Sequence, residues 1–216
     1  MQGEIAIYNG PGAYIYDIKK ALKLLKVPFD VIDKKGIKEK LNNYKILIVP
    51  GGATEKYVSS LSKDDFYERI RSFVFNGGKY IGICAGAYLA PKECIGLKKG
   101  RRIKLKGLSI INVKSIREHK RRRPGKLRKI KFRKHPLVRG YSQELEIWYH
   151  NGPGFISGKG VEVAAVYENG LAAIVSSKYG KGKVILFGPH PEGDFKKKIN
   201  PVKLGTLYLI KNAIDY

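Results

Sequence analysis

The sequence predicts an α/β domain, a mostly parallel sheet covered by helices on both faces with extra β-structure in the second half. Three observations carry this. Short apolar, β-rich runs alternate with segments of helical apolar spacing through the first 90 residues. Several of these runs end in glycine-rich turns, as buried strands do where they feed loops at one sheet edge. From residue 108 onwards, strand-like runs follow one another with mainly Gly- or Asn-rich turns between them. No internal repeat or flexible linker interrupts the chain, so residues 1–216 read as a single domain.

EIAIYN (4–9) is the first strand, and Gly10-Pro11-Gly12 turns it. Ile15, Ile18, Leu22 and Leu25 recur at helical spacing, which predicts a helix to about Lys26. PFDVID (28–33) is a second strand and GIKEKLNN (36–43) a short helix. KILIVPGG (45–52) is a buried strand ending in Pro50-Gly51-Gly52. SKDDFYERIRSFVFN (62–76) puts Phe66, Ile70, Phe73 and Val74 on one helix face, with Ser62 and Asp65 as a capping-box start. KYIGICAGAYLA (79–90) reads as strand, sharp turn and helix. LSIINV (108–113), LEIWY (145–149), EVAAVY (162–167), LAAIVSS (171–177) and KVILFG (183–188) are strands. PVKLGTLYLIKNAIDY (201–216) closes the chain as a helix with Leu204, Leu207, Tyr208 and Ile210 inward.

Composition narrows the class. A hydrophobic content of 43% excludes disorder as a description of the whole. Two cysteines in 216 residues exclude a disulfide scaffold and point to a reducing compartment. The opening MQGEIAIYNG lacks a basic stretch leading into an apolar one, so no signal peptide is expected. No stretch approaches 18 uncharged apolar residues, so no membrane span is expected, and the expected location is the cytoplasm. Two glutamines among many Lys, Ile and Glu make a thermophile-like composition.

Forty-three Lys and Arg against 18 Asp and Glu give a net charge of +25. Residues 98–134 hold 18 of those cations and a single acid, Glu118, and so carry +17; the rest of the chain is only mildly basic, at +8. Such a run can neutralise phosphates or attract an acidic protein. Phe132 is its only aromatic, so it has little with which to stack single-stranded bases. Leu105, Leu108, Ile110, Ile111 and Val113 are expected to form a strand, leaving HKRRRPGKLRKIKFRK (119–134) as an insertion or hairpin. His119 and His135 read as solvated.

The chemistry gathers at three glycine-flanked places. Gly82-Ile83-Cys84-Ala85-Gly86 sets a thiol between a strand and a helix, with a glycine two residues to either side. A backbone turning that sharply brings those two positions against the neighbouring strand and helix, where a side chain would clash. The helix start favours the thiolate, the form that attacks. Cys94 lacks this setting and reads as a core residue. His190-Pro191-Glu192, after KVILFGP, offers a general base and an orienting carboxylate at the exit of another strand. At Pro50-Gly51-Gly52-Ala53, backbone N–H groups of Gly51 or Gly52, with that of Ala85, can stabilise an oxyanion. This set calls for no metal or cofactor.

Taken together, VPGG (49–52), GICAG (82–86) and HPE (190–192) resemble the class I glutamine amidotransferase superfamily, and the resemblance spans nearly the whole chain. Gly10-Pro11-Gly12, CAGAYL (84–89) and WYHNGPG (148–154) are similar to the amidotransferase-like N-terminal domain of biotin–protein ligases. The resemblance implies a flavodoxin-like three-layer sandwich with a Cys-His-Glu triad. Cys84 would be the nucleophile, His190 the base and Glu192 its orienter. Gly51, Gly52 and Ala85 would form the oxyanion hole, and Gly10, Gly12, Tyr88, Tyr149, Asn151 and Gly152 would bind a small amide or acyl substrate. Glutamine-using members carry C-x-G-x-Q at the elbow, and Tyr88 stands here at the glutamine position, so the resemblance leaves the substrate open. It also leaves room for a non-catalytic binding or regulatory domain.

Overall fold

The computed structural model describes residues 4–62, 65–98, 101–117 and 123–216, the side chains of 97 and 98 excepted. In chain order the elements are β1 (Ile5–Tyr8), α1 (Tyr16–Leu24), β2 (Asp30–Ile32), α2 (Lys34–Glu39), β3 (Ile46–Val49), α3 (Thr54–Leu61), α4 (Phe66–Phe75), β4 (Lys79–Ile83) and α5 (Ala85–Leu89). They continue as β5 (Glu93–Lys98), β6 (Arg101–Lys106), β7 (Val113–Ile116), β8 (Lys126–Phe132), β9 (Glu144–Tyr149), β10 (Gly154–Ser157), β11 (Val161–Tyr167), β12 (Ala172–Tyr179), β13 (Gly182–Phe187) and α6 (Leu207–Asp215).

One sheet runs β2-β1-β3-β4-β13-β12-β11-β8-β9, with β10 and β7 branching from β12. The five strands from β2 to β13 are mutually parallel, and every pairing beyond β13 is antiparallel. Parallel strands must be buried on both faces, which is why β1 and β3 read as unbroken apolar runs, IAIY and ILIV. Alternate side chains divide between two cores. Ala6, Tyr8, Leu47 and Val49 pack with α2 to α5, whereas Ile5, Ile7, Ile46 and Ile48 pack with α1 and α6. The result is the three-layer α/β sandwich expected. Among the described residues, no helix is long and apolar enough to cross a membrane. The carboxyl ends of β1, β3, β4 and β13 point the same way, so the loops that follow them meet at one edge.

Several elements differ from expectation. Helix α3 is an additional helix over 54–61; Ser62 closes it, and Asp65 precedes α4 without a side-chain capping bond. No capping box joins them, and residues 63–64 lie outside the described residues. Of LSIINV, Ile111 makes only a single bridge, to Pro91, and the strand proper starts at Val113. Hairpin β5–β6 and strand β10 are further strands that the apolar pattern does not single out.

Within the basic run, KLRKIKF is no insertion. It is β8, paired to β11 and β9 in the main sheet. Its period-2 pattern is disguised by charge, because Arg128 faces inward beside Ile130, with its guanidinium over the rings of Tyr167 (4.2 Å) and Tyr149 (4.8 Å). Glu118 and His119 lie outside the described residues. His135 is not solvated. Its ring is buried, Nε2 lies 2.9 Å from Glu162 Oε2 and 3.0 Å from Ser176 Oγ, and Nδ1 accepts from the Leu137 amide. Tyr208 points outward at 65% exposure. With 201–205 in turns, the helix starts at Leu207 and turns Leu207, Leu209, Ile210 and Ala213 to the core.

Candidate active site

Cys84 follows the last residue of β4 in a left-handed conformation, φ +50° and ψ −100°, which is strained for any side chain bearing a Cβ. Its N–H donates to Phe187 O of β13 at 2.9 Å, tying the turn to the neighbouring strand. The flanking glycines are required sterically. A Cβ on Gly82 would lie 2.7 Å from Gly86 O, and one on Gly86 would lie 2.0 Å from Val49 O of β3. Tyr80 OH also donates to Gly86 O at 2.7 Å, bracing the turn from below. These contacts give the strand–turn–helix geometry of a nucleophile elbow.

His190 leaves β13 on the same edge. Its N–H donates to Trp148 O at 2.7 Å, which joins the end of β9 to the site. Its Nδ1 meets Glu192 Oε1 at 2.9 Å, and both side chains are largely buried. With the carboxylate accepting at Nδ1, the neutral ring presents Nε2 as its acceptor. That Nε2 is buried without a hydrogen-bond partner. Gly51 packs against both groups: a Cβ there would lie 2.8 Å from His190 Cε1 and 3.7 Å from Cys84 Cβ. The Cys84 thiol lies 3.6 Å from the carbonyl of His150, to which it donates. Burial alone would strip the proton from His190. The negative charge of Glu192 and its hydrogen bond to Nδ1 outweigh that and hold its pKa well above the usual histidine value.

The Gly51–Gly52 turn is pinned from three sides. Gly51 O accepts from the Tyr14 amide at 3.0 Å, Ala53 N–H donates to Gly12 O at 3.0 Å, and Tyr57 OH reaches the carbonyls of Pro50 and Gly51 at 3.1 Å each. Ala85 opens α5, where first-turn N–H groups have no carbonyl to bond within the helix.

A cavity of about 310 Å³ covers this edge. Gly51, Gly52, Cys84, Tyr88, Asn151, His190 and Glu192 line it. Gly10, Gly12, Ala85, Tyr149 and Gly152 lie outside the lining. Gly10 sits on the Tyr8 hydroxyl, Gly12 against Lys56 and the Gly52 turn, and Gly152 on Gly188 O. Tyr149 is buried with its OH donating to Gly152 O at 2.9 Å, so these residues support the wall rather than face the cavity. Asn151, at φ +61°, has a second task. Its amide Nδ2 donates to Arg123 O and its Oδ1 accepts from the Arg123 N–H, both at 2.8 Å.

Arg117 is one lining residue that sequence reading missed. It is 8% exposed, its guanidinium stands 5.8 Å from the Tyr88 ring centroid, and its Nε has no partner. Burial drives the Tyr88 hydroxyl pKa well up, against the opposing pull of Arg117. In the sequence Arg117 is one of 18 cations in a run, and nothing there distinguishes it. Asp17 was missed too. Burial and the nearby Glu192 charge raise its pKa, while its carboxylate accepts from the Phe195 amide. Cys94 is a buried thiol, pushed up to about 12 by burial. Among the described residues, no three His, Cys, Asp or Glu gather into a metal-binding group.

Residues 3–108 match the family model of the biotin–protein ligase N-terminal domain. The chain is 26% identical over 219 aligned residues to the biotin–protein ligase of Schizosaccharomyces pombe, covering 87% of this chain and 33% of that protein. It is 27% identical over 100 residues to the pyridoxal 5′-phosphate synthase subunit PdxT of Ignicoccus hospitalis, covering 46% of this chain and 50% of that one. The chain therefore spans between a third and a half of the length of these curated relatives. A crystal structure of a glutamine amidotransferase superposes with a TM-score of 0.70 at 25% identity, covering 98% of this chain and 99% of the other. This chain has a glutamine amidotransferase-like fold. Residues 3–108 are similar to the N-terminal domain of biotin–protein ligases, and the matched residues include Gly51, Gly52 and Cys84 but not His190 or Glu192.

Proposed function

We propose that the chain is a thiol-dependent amidase or hydrolase of the amidotransferase type, with Cys84, His190 and Glu192 as its triad. The observation that carries the reading is the buried, unpartnered Nε2 of a histidine whose other nitrogen is held by Glu192, in one cavity with an elbow thiol. His190 takes the Cys84 proton, and the sulfur attacks the amide carbonyl, forming a C–S bond as the carbonyl electrons move onto oxygen. We assign the oxyanion to the backbone N–H groups of Ala85 and of Gly51 or Gly52. Collapse of the adduct expels the amine, which takes the proton from His190 and leaves a thioester. Water, deprotonated by His190, then releases the acid and regenerates the thiol. Glu192 keeps the imidazole oriented and balances its charge at each stage.

Arg117 supports a substrate class. A buried guanidinium with no carboxylate ion pair among the described residues lacks its counter-charge. A substrate amide that also bears a carboxylate would supply it. Mass spectrometry after incubation with an electrophilic amide analogue tests the reading: one adduct is expected, on Cys84, and it should vanish in Cys84→Ala. A Cys84 no more reactive than the buried Cys94 would overturn it.

A second reading rests on the thiol's own contact. Cys84 donates to His150 O, and Tyr88 occupies the position where glutamine-using relatives of this fold carry Gln. Both fit a pocket that binds an amide or acid without turning it over. Thermal stabilisation by carboxamides with neither adduct nor product would favour this regulatory form.

A further inference from the structure

Part of the +17 charge of residues 98–134 surrounds a second opening. Hairpin β5–β6 and strand β7 enclose a groove of about 550 Å³. Cys94, Ile95, Ile103 and Val113 supply its apolar lining, Cys94 and Ile103 from one face of the hairpin and Ile95 from the other. Ser115 lies there too, 4% exposed, with a hydroxyl that has no hydrogen-bond partner. The rim carries Lys92, Arg102, Lys104 and Lys114, all exposed, against one acid, Glu93, which is already paired with Lys104 at 3.4 Å. The groove is linked to the catalytic cavity: Arg102 donates to the carbonyl of Arg117, which follows β7 and lines that cavity.

We propose that this groove docks an acidic segment of a partner protein in extended conformation. The segment's apolar side chains would lie against the apolar lining, its carboxylates would meet the rim, and a polar group would satisfy Ser115. Charge complementarity selects the acid, because the rim holds three cations beyond the one Glu93 engages. The apolar lining and the absence of any aromatic side chain in it select a peptide over a nucleic acid, whose single strands bind by stacking. A small free anion is a poor match, because the cations are exposed along three separate segments of chain rather than buried around a point. Strand geometry suits an extended guest. Neither outer edge of the β5–β6 pair is hydrogen-bonded to another strand among the described residues, and β7 pairs only with β10.

The test uses the full chain and three fluorescent probes: a ten-residue peptide alternating Glu and Val, its Gln/Val counterpart, and a ten-nucleotide oligothymidylate. Anisotropy is expected to show the Glu/Val peptide binding at least about tenfold tighter than the Gln/Val peptide, and weakening as salt rises. Backbone amide shifts should move at 92–95, 102–104 and 113–115. The triple variant Arg102→Glu, Lys104→Glu, Lys114→Glu should lose about tenfold or more in affinity. The matched triple Lys23→Glu, Lys35→Glu, Lys203→Glu, with the same change in net charge, should stay within about twofold. If the groove triple folds poorly, Arg102→Gln with the same shift mapping decides. Equal losses in both triples, shifts away from the groove, or an oligothymidylate that binds tighter and displaces the peptide would each overturn the proposal.

Discussion

At Cys84 and its contacts the local geometry is set by single atoms. Gly51 fills the space against both catalytic candidates, so Gly51→Ala would press a methyl within 2.8 Å of His190 Cε1. We expect that variant to fold and to lose most Cys84 labelling, because the imidazole must swing off the Glu192 bond; mass spectrometry on intact protein measures this. Glu192→Gln probes the charge. The native His190 pKa is raised, so the contribution of its protonated form is fully present below the unfolded value of about 6.5 and fades as pH rises through the folded value. Near pH 6 the variant should lose about 3 kcal/mol, a Tm drop of about 6–12 °C. The gap from wild type should narrow at alkaline pH, and a gap that widened there would contradict the assigned direction. Arg117→Met should weaken binding of a carboxylate-bearing amide such as glutamine by about tenfold or more, while leaving a neutral amide unaffected, as calorimetry would show.

Among the elements, the elbow is the tightest constraint. Gly86 lies with its Cα against the Val49 carbonyl, so Gly86→Ala forces β3 and α5 apart and should cost about 3 kcal/mol or more, read by denaturant unfolding. Its sequence signature was complete, with a glycine two residues to either side of the thiol between an apolar strand and a helix. The other arm of the proposed triad was legible because His190 and Glu192 also follow a buried strand. Elements that hide their period were harder to read. In β8 an inward arginine sits where an apolar residue would normally mark the core face, and it is tolerated because two tyrosine rings receive it. Helix α3 buries Tyr57, Val58 and Leu61, but it follows so closely on the glycine turn that no element is assigned to it from the sequence. His135 was misread for the same reason as β8: its neighbours in sequence are charged, while its neighbours in space are Glu162, Ser176 and Tyr216.

For the whole molecule, the sheet order decides what can stand alone. The family match ends at residue 108, yet β4 is flanked by β3 on one side and β13 on the other. A fragment of residues 1–108 would expose one edge of β4 and remove His190, so it should be insoluble or unfolded by circular dichroism. We propose that residues 1–216 are one cooperative unit, since two cores on opposite faces share one continuous sheet. Far-UV and near-UV transitions should then coincide, and two separate transitions would refute a single domain. The charge divides at this scale as well. Of the basic run, Arg117 lines the cavity beside Cys84, whereas the cations around the β5–β6 groove stand outside it.

The sequence by itself determined the α/β alternation, the elbow at Cys84, the histidine and glutamate after a late strand, and the glycine turn at 51–52. Each is a local pattern whose meaning lies in a few consecutive residues, because strand burial and tight turns leave a period or a glycine behind. Only the tertiary structure decided which of the named residues face one another. It brought His190, Gly51 and Cys84 into contact across 139 residues of chain, withdrew Gly10, Gly12, Ala85, Tyr149 and Gly152 from the cavity lining, and turned Arg117 from one cation among many into a buried charge beside Tyr88. Burial and counter-charge depend on neighbours distant in the chain, and no local pattern encodes them.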